Sequence, residues 1–351
     1  MPLTMQMPSK EDPSQTPKQH TKDLKLFSIF REHKNWVRIL GTPYVNMLNK
    51  AVEYNKQNEL IQVSEALHEK KYAEIADNIY RRKDEVKLVL LAGPSSSGKT
   101  TSCRRIATQL SVLGFKPLQI SLDDYFVDRE HTPKDASGNY DFECIEALDL
   151  DFFNYQMKEL LSGAEIELPR FDFISGKRVQ SGNRLKMKAN SILIVEGIHA
   201  LNPHLTDKIE AKNKYNVFVS AMTQLALDRH NLISSSDNRL LRRIVRDNNY
   251  RGYSAQDTIL RWDSVRSGEE KHIFPYQENA DSIFNSSLLY EIGVLKPTAE
   301  KLLFEVAQNS PAYSEARRLQ NFLSEFKSIK TDFIPPTSIM REFLGGSSFA
   351  Y

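Results

Sequence analysis

A short glycine-containing segment, residues 93–100, constrains the fold of this chain more than any other feature. Its letters, GPSSSGKT, match the pattern G-x-x-x-x-G-K-[ST] at every fixed position. An apolar run from Val86 to Ala92 precedes it and is typical of a buried parallel strand. A helical pattern from Thr100 to Val112 follows it. Strand, loop and helix in this order predict a loop that binds phosphate groups.

The residue types in this loop suit phosphate chemistry. Gly93 and Gly98 allow backbone angles that other residues resist, so backbone N–H groups can turn inward around phosphate oxygens. The helix behind the loop presents its positive dipole end to the same anions. Lys99 supplies a positive charge for the β- and γ-phosphates, and the Thr100 hydroxyl is placed to bind Mg²⁺, so we expect ATP and Mg²⁺ as cofactors. The expected nucleotide-binding residues are Gly93, Pro94, Ser95, Ser96, Ser97, Gly98, Lys99, Thr100 and Thr101.

Strand and helix patterns alternate from about residue 86 to about residue 300. This alternation predicts an α/β fold, a three-layer domain of the P-loop NTPase type with a mostly parallel sheet. Strand patterns cover 118–122, 192–195 and 217–219, a hairpin covers 170–188 around Ser175-Gly176, and helical patterns cover 149–162, 238–248 and 254–265.

The segments on either side of this domain have other patterns. Residues 1–22 are rich in Pro, Ser, Thr, Gln and Lys and are predicted to be a disordered leader. Residues 23–85 are predicted to form a small α+β accessory domain that ends in a helix with Ser64 as its N-cap. Residues 301–351 are predicted to pack on the α/β domain as a helix near 314–326 and an irregular tail from Ile334.

The composition excludes several classes of protein. A net charge of +2, from 47 basic and 45 acidic residues, is too neutral for a general nucleic-acid binder. Two cysteines exclude a disulfide framework, and the sequence holds neither an apolar run of membrane-spanning length nor an apolar signal core. We therefore expect a cytosolic protein whose partner is a small molecule, without a membrane or nucleic acid, and a homo-oligomer stays open.

Acidic residues follow two further strand patterns. Residues 118–122 lead into Asp123 and Asp124, and residues 192–195 lead into Glu196. Because open α/β sheets bind ligands beyond the carboxyl ends of their strands, these acids can reach Mg²⁺ or an acceptor hydroxyl beside the phosphate loop. The alternative is an ordinary capping role in a loop.

A run of arginines, Arg239, Arg242, Arg243 and Arg246, recurs at three- and four-residue spacing on one broad helix face. Beside a phosphate loop, such a face suggests a mobile lid that stabilises the charge of a transferred phosphoryl group and excludes water. The alternatives are a solvated helix face and an RNA-binding surface.

Several segments recur in a fixed order between Lys87 and Ser287, beginning with the phosphate loop. They are GPSSSGKTT at 93–101, SLDDYF at 121–126, YDF at 140–142, PRFDFIS at 169–175, VEGI at 195–198 and DNRLLRRIVRD at 237–247. This ordered set resembles the uridine kinase and phosphoribulokinase family of P-loop kinases. The flanks, VSEALHEKK at 63–71 and IPPTSIMREF at 334–343, resemble the long two-domain members of that family.

The resemblance implies a role for each matching residue. Asp123 is the carboxylate that accepts the proton of a nucleoside 5′-hydroxyl near Mg²⁺, and Glu196 helps to hold Mg²⁺, mostly through water. Asp141 holds the ribose hydroxyls. The implied catalytic residues are Lys99, Asp123, Arg242 and Arg246; the implied metal ligands are Thr100, Asp123 and Glu196; the implied substrate contacts are Asp123, Tyr125, Asp141, Phe171, Phe173 and Arg239.

The implied activity is phosphorylation of uridine or cytidine by ATP, a reaction of pyrimidine salvage. The base-reading positions depart from the family, since Phe171 replaces a tyrosine and Gly176 replaces a histidine that reads the pyrimidine. Base recognition is therefore expected to be loose unless another residue, such as Arg178 or Gln256, has taken it over. Three alternatives stay open: a kinase of another small hydroxyl compound, a non-catalytic nucleotide-binding regulator, and an RNA-associated protein.

A GTPase is not favoured. Residues 135–138 fit the pattern D-x-x-G, but no strand pattern precedes them and the sequence contains no N-K-x-D.

Overall fold

The computed structural model describes residues 24–350 except 135–137, 139, 173–174 and 224. The predicted leader and most of the D-x-x-G segment lie outside the described residues. The helices in the described part are α1 Leu24–Ile39, α2 Val45–Glu53, α3 Gln57–Tyr80, α4 Lys99–Val112, α5 Leu150–Leu161, α6 Ser235–Arg251, α7 Ala255–His272, α8 Glu291–Phe304, α9 Tyr313–Ser324 and α10 Met340–Leu344. The strands are β1 Leu88–Ala92, β2 Lys116–Ser121, β3 Glu165–Asp172, β4 Lys177–Lys186, β5 Ser191–Glu196, β6 Lys214–Ser220 and β7 Ser282–Asn285.

Five strands form one parallel sheet in the order β2–β5–β1–β6–β7. Leu91 and Ser121 both pair with Glu196, so β1, β2 and β5 end side by side. The chain builds β2 and β5 on one side of β1 and then crosses to build β6 and β7 on the other side. The carboxyl end of β1 is therefore the switch point at which such sheets bind ligands. The predicted α/β class with a mostly parallel sheet is confirmed.

The sheet has a hydrophobic core on each face, because successive side chains of a strand point in opposite directions. Val89 and Leu91 of β1 face a core shared with α2, α3, α4 and the helices from α6 onward. Leu88 and Leu90 face the other core, to which α5 and the hairpin β3–β4 contribute. This hairpin is the one that the sequence predicted, although its first strand begins earlier, at Glu165.

The segment before the sheet differs from the expected α+β domain. Its described residues form three helices, and Ser64 lies inside α3 and is not its N-cap. Tyr72 and Ile79 of α3 are fully buried in the same core as β1. The Tyr72 hydroxyl lies 2.9 Å from the Ser102 hydroxyl of α4. A helix fits here because its apolar side chains can cover α4. The domain boundary at residue 85 stays a prediction.

The C-terminal tail is more ordered than expected. It contains the short helix α10, whose Met340 and Phe343 side chains are fully buried in the core that contains α4. The Asn249 side chain donates a hydrogen bond to the Phe343 carbonyl at 2.9 Å. This hydrogen bond holds the tail against α6. Among the described helices, no segment combines the length and hydrophobicity needed to cross a membrane.

Candidate active site

The phosphate loop connects β1 to α4, as the sequence predicts. A Cβ on Gly93 would lie 2.1 Å from the Val219 carbonyl oxygen of β6, so only glycine fits there. Gly98 has a φ of 83° and Ser96 a φ of 58°, both in the left-handed region. For serine this conformation is strained, and such strain is common at functional sites. The loop is therefore built around backbone geometry that few other residues would permit.

Polar groups of the loop fit a bound phosphate. The buried hydroxyls of Ser96 and Ser97 have no hydrogen-bond partner among the described residues. Lys99 Nζ donates to the Pro94 carbonyl oxygen at 3.2 Å, which holds the ammonium group beside the loop. Buried hydroxyls gain stability from a partner, and the oxygens of a nucleotide phosphate accept hydrogen bonds. The residues present therefore fit the phosphates of ATP.

Arg239 and Arg242 lie behind the phosphate loop and not in a mobile lid. The Arg242 guanidinium is fully buried, bonds to the buried Glu291 carboxylate, and donates to a carbonyl oxygen of the loop at 3.3 Å. Arg239 pairs in the same way with the buried Glu269 carboxylate and donates to another loop carbonyl at 3.1 Å. The predictions that Arg242 is catalytic and that Arg239 contacts substrate are wrong, because both side chains are used inside the protein.

Carboxylates and hydroxyls meet at the ends of β1, β2 and β5. Thr100 Oγ1 donates to Glu196 Oε1 at 3.1 Å, and the Ser121 hydroxyl lies 3.5 Å from the same oxygen. Burial, and after it the nearby negative charge of Asp123, raise the pKa of Glu196 to about 7. The structure thus brings the three predicted metal ligands, Thr100, Asp123 and Glu196, to one place.

This set of groups fits Mg²⁺, which prefers hard oxygen ligands. Burial and repulsion from a neighbouring carboxylate raise the pKa of Glu196, because both disfavour its charged form. A divalent cation between the two carboxylates would remove that repulsion.

Glu143, which the sequence analysis missed, also belongs to the site. Its Oε2 atom is buried without a hydrogen-bond partner among the described residues. Burial raises the pKa of Glu143 to about 7, and the charges that act on it include Arg243, Lys99 and Asp123. The absence of a side chain on Gly268 makes room for it, because a Cβ there would lie 2.5 Å from the Glu143 Cβ. This carboxylate is available to accept hydrogen bonds from a bound molecule.

Asp141 is half-buried, and its predicted contact with the ribose hydroxyls stays a prediction. Its Oδ1 atom accepts a hydrogen bond from the backbone N–H of Glu143 at 3.0 Å, so it shapes the turn that presents Glu143. Glu143, two residues further along the chain, is the acid whose pKa responds to the charges of Lys99 and Asp123. Both acids lie in one short segment of the sequence. Their spacing alone does not show which of them contacts a substrate.

A cluster of three arginines, Arg243, Arg246 and Arg251, surrounds the Asp247 carboxylate at nitrogen–oxygen distances of 3.2, 2.8 and 3.9 Å. Repulsion from Arg246 and burial lower the pKa of Arg251 to about 10, and Asp123 is among the charges that oppose this shift. The cluster therefore places positive charge near the carboxylates of the site. A catalytic role for Arg246 stays a prediction.

The aromatic residues near the site divide into buried and accessible ones. Tyr125 is fully buried and its hydroxyl donates to Gln156 at 2.7 Å, so the predicted substrate contact is wrong. Phe171 is also buried, with its ring centroid 5.6 Å from that of Phe126. Phe142 packs on the other side of Phe126 and is 36% exposed, which makes it accessible to a ligand. The predicted contact Phe173 lies outside the described residues.

An arginine fills the space above Gly176. A Cβ on Gly176 would lie 2.8 Å from both Cζ and Nε of Arg129, and the Arg129 N–H donates to the Gly176 carbonyl at 2.8 Å. Arg178, which the sequence suggested as a base-reading residue, instead pairs with Asp149 at 2.7 Å. Arg129 is therefore the guanidinium next to the glycine that departs from the family.

A parallel sheet with a phosphate loop at its switch point, followed by acids that can bind a metal ion and an acceptor, defines a P-loop kinase. Comparison with known sequences agrees. The profile of the Phosphoribulokinase / Uridine kinase family matches residues 88–289, and the chain belongs to this family.

Individual proteins that are similar to this chain include a uridine kinase and a D-glycerate 3-kinase. A uridine kinase of Staphylococcus aureus (strain JH9) is 30% identical over 198 residues, which are 56% of this chain and 86% of that protein. A D-glycerate 3-kinase structure from Cryptococcus neoformans var. grubii shares 12% identity at a TM-score of 0.33, over 78% of this chain and 87% of that one. A TM-score of 0.33 is too low to support a conclusion about the function of this chain.

Proposed function

We propose that this kinase transfers the γ-phosphoryl group of ATP to the 5′-hydroxyl of a nucleoside, with uridine or cytidine as acceptor and UMP or CMP as product. One observation carries the proposal: Asp123 lies just beyond the end of β2, and the charges of both Asp123 and Lys99 of the phosphate loop act on the buried Glu143 carboxylate. One acid can take the proton of the attacking hydroxyl, and the other can accept hydrogen bonds from neighbouring sugar hydroxyls. The resemblance to uridine kinases supports the nucleoside class.

Each group has a separate task in this reaction. Lys99 and the loop N–H groups bind the phosphates, and Asp123 orients and deprotonates the acceptor. Thr100 and Glu196 would hold Mg²⁺, which supplies charge neutralisation at the transferred group. Arg246 would stabilise the negative charge that develops there.

A second candidate is a kinase of another small hydroxyl compound. It is favoured by Arg129, whose guanidinium fills the space above Gly176. A guanidinium binds a carboxylate or phosphate through two parallel hydrogen bonds, and it can also donate to the carbonyl oxygens of a pyrimidine. An anionic acceptor would therefore suit the Arg129 guanidinium as well as uridine does.

An acceptor panel separates the two candidates. We would incubate the enzyme with Mg-ATP and uridine, cytidine, 2′-deoxyuridine, adenosine, ribose 5-phosphate or glycerate, follow ADP, and identify the product by ³¹P NMR. Uridine and cytidine should give the highest kcat/KM values, within roughly 100-fold of each other. Fastest turnover of an anionic acceptor would favour the second candidate, and ATP binding without turnover of any acceptor would favour a regulator.

The Asp123→Asn variant provides the control for chemistry. It should bind ATP almost normally and lose about 10²-fold or more in kcat, the usual effect of removing a positioned base. Near-normal turnover at saturating substrate would remove Asp123 from this role.

We also propose that the enzyme acts in the cytosol, in pyrimidine salvage. The free and buried state of both cysteines fits a reducing compartment.

A further inference from the structure

The C-terminal helix α10 reaches the phosphate loop through one carboxylate. Glu342 Oε2 accepts a hydrogen bond from Thr101 Oγ1 at 2.6 Å and lies 3.2 Å from the backbone nitrogen of Thr101. Thr101 is the third residue of α4. The first N–H groups of a helix have no acceptor within the helix, and behind a phosphate loop they are groups that bind the nucleotide.

We propose that Glu342 occupies part of the phosphate position in the nucleotide-free enzyme and that it thereby sets the affinity for nucleotide. A carboxylate and a phosphate are both oxyanions that accept from the same N–H group. Both cannot take the Thr101 N–H at once, and two negative charges at this distance repel each other. Nucleotide binding therefore has to displace the Glu342 side chain.

The backbone that carries Glu342 is firmly held, so the movement is confined to the side chain. Met340 and Phe343, on either side of it, are fully buried. The fully buried Ile339 side chain lies against Gly98, since a Cβ on that glycine would be 3.0 Å from the Ile339 Cγ2 atom. Glu342 itself is partly exposed, and rotation about its side-chain bonds can release Thr101 without moving α10.

The consequence is a kinase that binds its nucleotides less tightly than its phosphate loop alone would allow. The returning carboxylate would also help to expel ADP after transfer, because it competes with the phosphates of the product. The inference concerns the nucleotide site alone, so it does not depend on which acceptor is used.

Nucleotide binding to the Glu342→Gln variant tests this proposal. Isothermal titration calorimetry would measure the Kd values of ADP, inorganic tripolyphosphate and adenosine, without an acceptor. Loss of the charge should tighten ADP and tripolyphosphate by about tenfold. Adenosine has no phosphate and should bind as it does to the parent. Glu342→Ala should give the same pattern, which shows that the new amide is not the cause.

Glu305→Gln is the matched control, since Glu305 is an exposed acid just beyond α8. It should leave all three Kd values unchanged. If Glu342 has a purely structural role, both Glu342 variants will melt at lower temperature and bind ADP and tripolyphosphate as weakly as the parent or more weakly. That result, or an equal gain for adenosine, would overturn the proposal.

Discussion

Arg242 is the residue for which a role in a lid and a role in structural support predict the most different effects of substitution. We predict that Arg242→Met destabilises the protein and that its loss of activity follows from unfolding. The side chain has no exposed surface and bonds to the Glu291 carboxylate, a carbonyl of the phosphate loop and the Ser286 hydroxyl. Methionine keeps most of the volume but leaves the buried Glu291 carboxylate without its cation.

The size of the effect follows from that unpaired charge. Removing one partner of a buried ion pair costs about 3–5 kcal/mol of unfolding free energy. For a chain of 351 residues, such a loss lowers the melting temperature by roughly 4–7 °C. The exposed pair of Arg266 and Glu270, at 3.5 Å on α7, provides a matched control. Arg266→Met should change the unfolding free energy by less than about 1 kcal/mol, because solvent screens that pair.

Thermal and urea denaturation would measure both variants, with kcat and nucleotide Kd measured below the melting temperature. A double variant, Arg242→Met with Glu291→Gln, should lose less stability than the two single variants added together, since it removes both charges. A different result would refute the reasoning: an Arg242→Met protein with an unchanged melting temperature and a kcat reduced by about 10²-fold or more would restore the lid role. Arg246→Met should behave in that second way, because the Asp247 carboxylate keeps Arg243 and Arg251 as partners when Arg246 is removed.

Two further predictions concern the acids and the loop. Because the pKa of Glu143 is raised from 4.5 to about 7, the folded protein keeps a proton that the unfolded chain releases, so this contribution to stability is present below about pH 4.5 and is lost as the pH rises to about 7. Glu143→Gln should reduce this decline by about 1–3 kcal/mol in urea denaturation at pH 5 and pH 7.5, with the part due to Glu196 remaining, and an identical slope in variant and parent would contradict it. Gly93→Ala should abolish nucleotide binding or folding, since its Cβ would lie 2.1 Å from the Val219 carbonyl, and a variant that binds ADP normally would show that β6 can move away.

The phosphate loop and the sheet around it were predictable because local sequence determines them. Three features are recognisable from a few neighbouring residues: apolar runs of strand length, glycines at positions where a side chain would clash, and acids that directly follow a strand. The structure accordingly has β1 and α4 on either side of the loop, and Asp123 and Glu196 at neighbouring strand ends. Strand β7 and helix α8 were missed because β7 has four residues and α8 contains Pro297, which normally argues against a helix interior.

The errors about Arg239 and Arg242 have one physical origin. Spacing showed that Arg239, Arg242, Arg243 and Arg246 share a broad helix face, but not which part of that face is buried. The answer depends on Glu269 and Glu291, which lie 30 and 49 residues further along the chain. An arginine beside a distant buried carboxylate becomes part of the interior, and one without such a partner stays available for chemistry.

Long-range partners also explain why α3 and α10, which lie before and after the sheet in the chain, pack in the same hydrophobic core as α4. The phosphate helix α4 carries the buried Arg105, and α3 supplies two carboxylate partners for it, Glu65 and Glu69. Glu65 also accepts a hydrogen bond from the Ser338 hydroxyl, just before α10. Without α3, the nearly buried Arg105 guanidinium would lose both charges that balance it. The helices α3 and α10 therefore contribute to the packing around α4, although they lie outside the residues that the family profile matches.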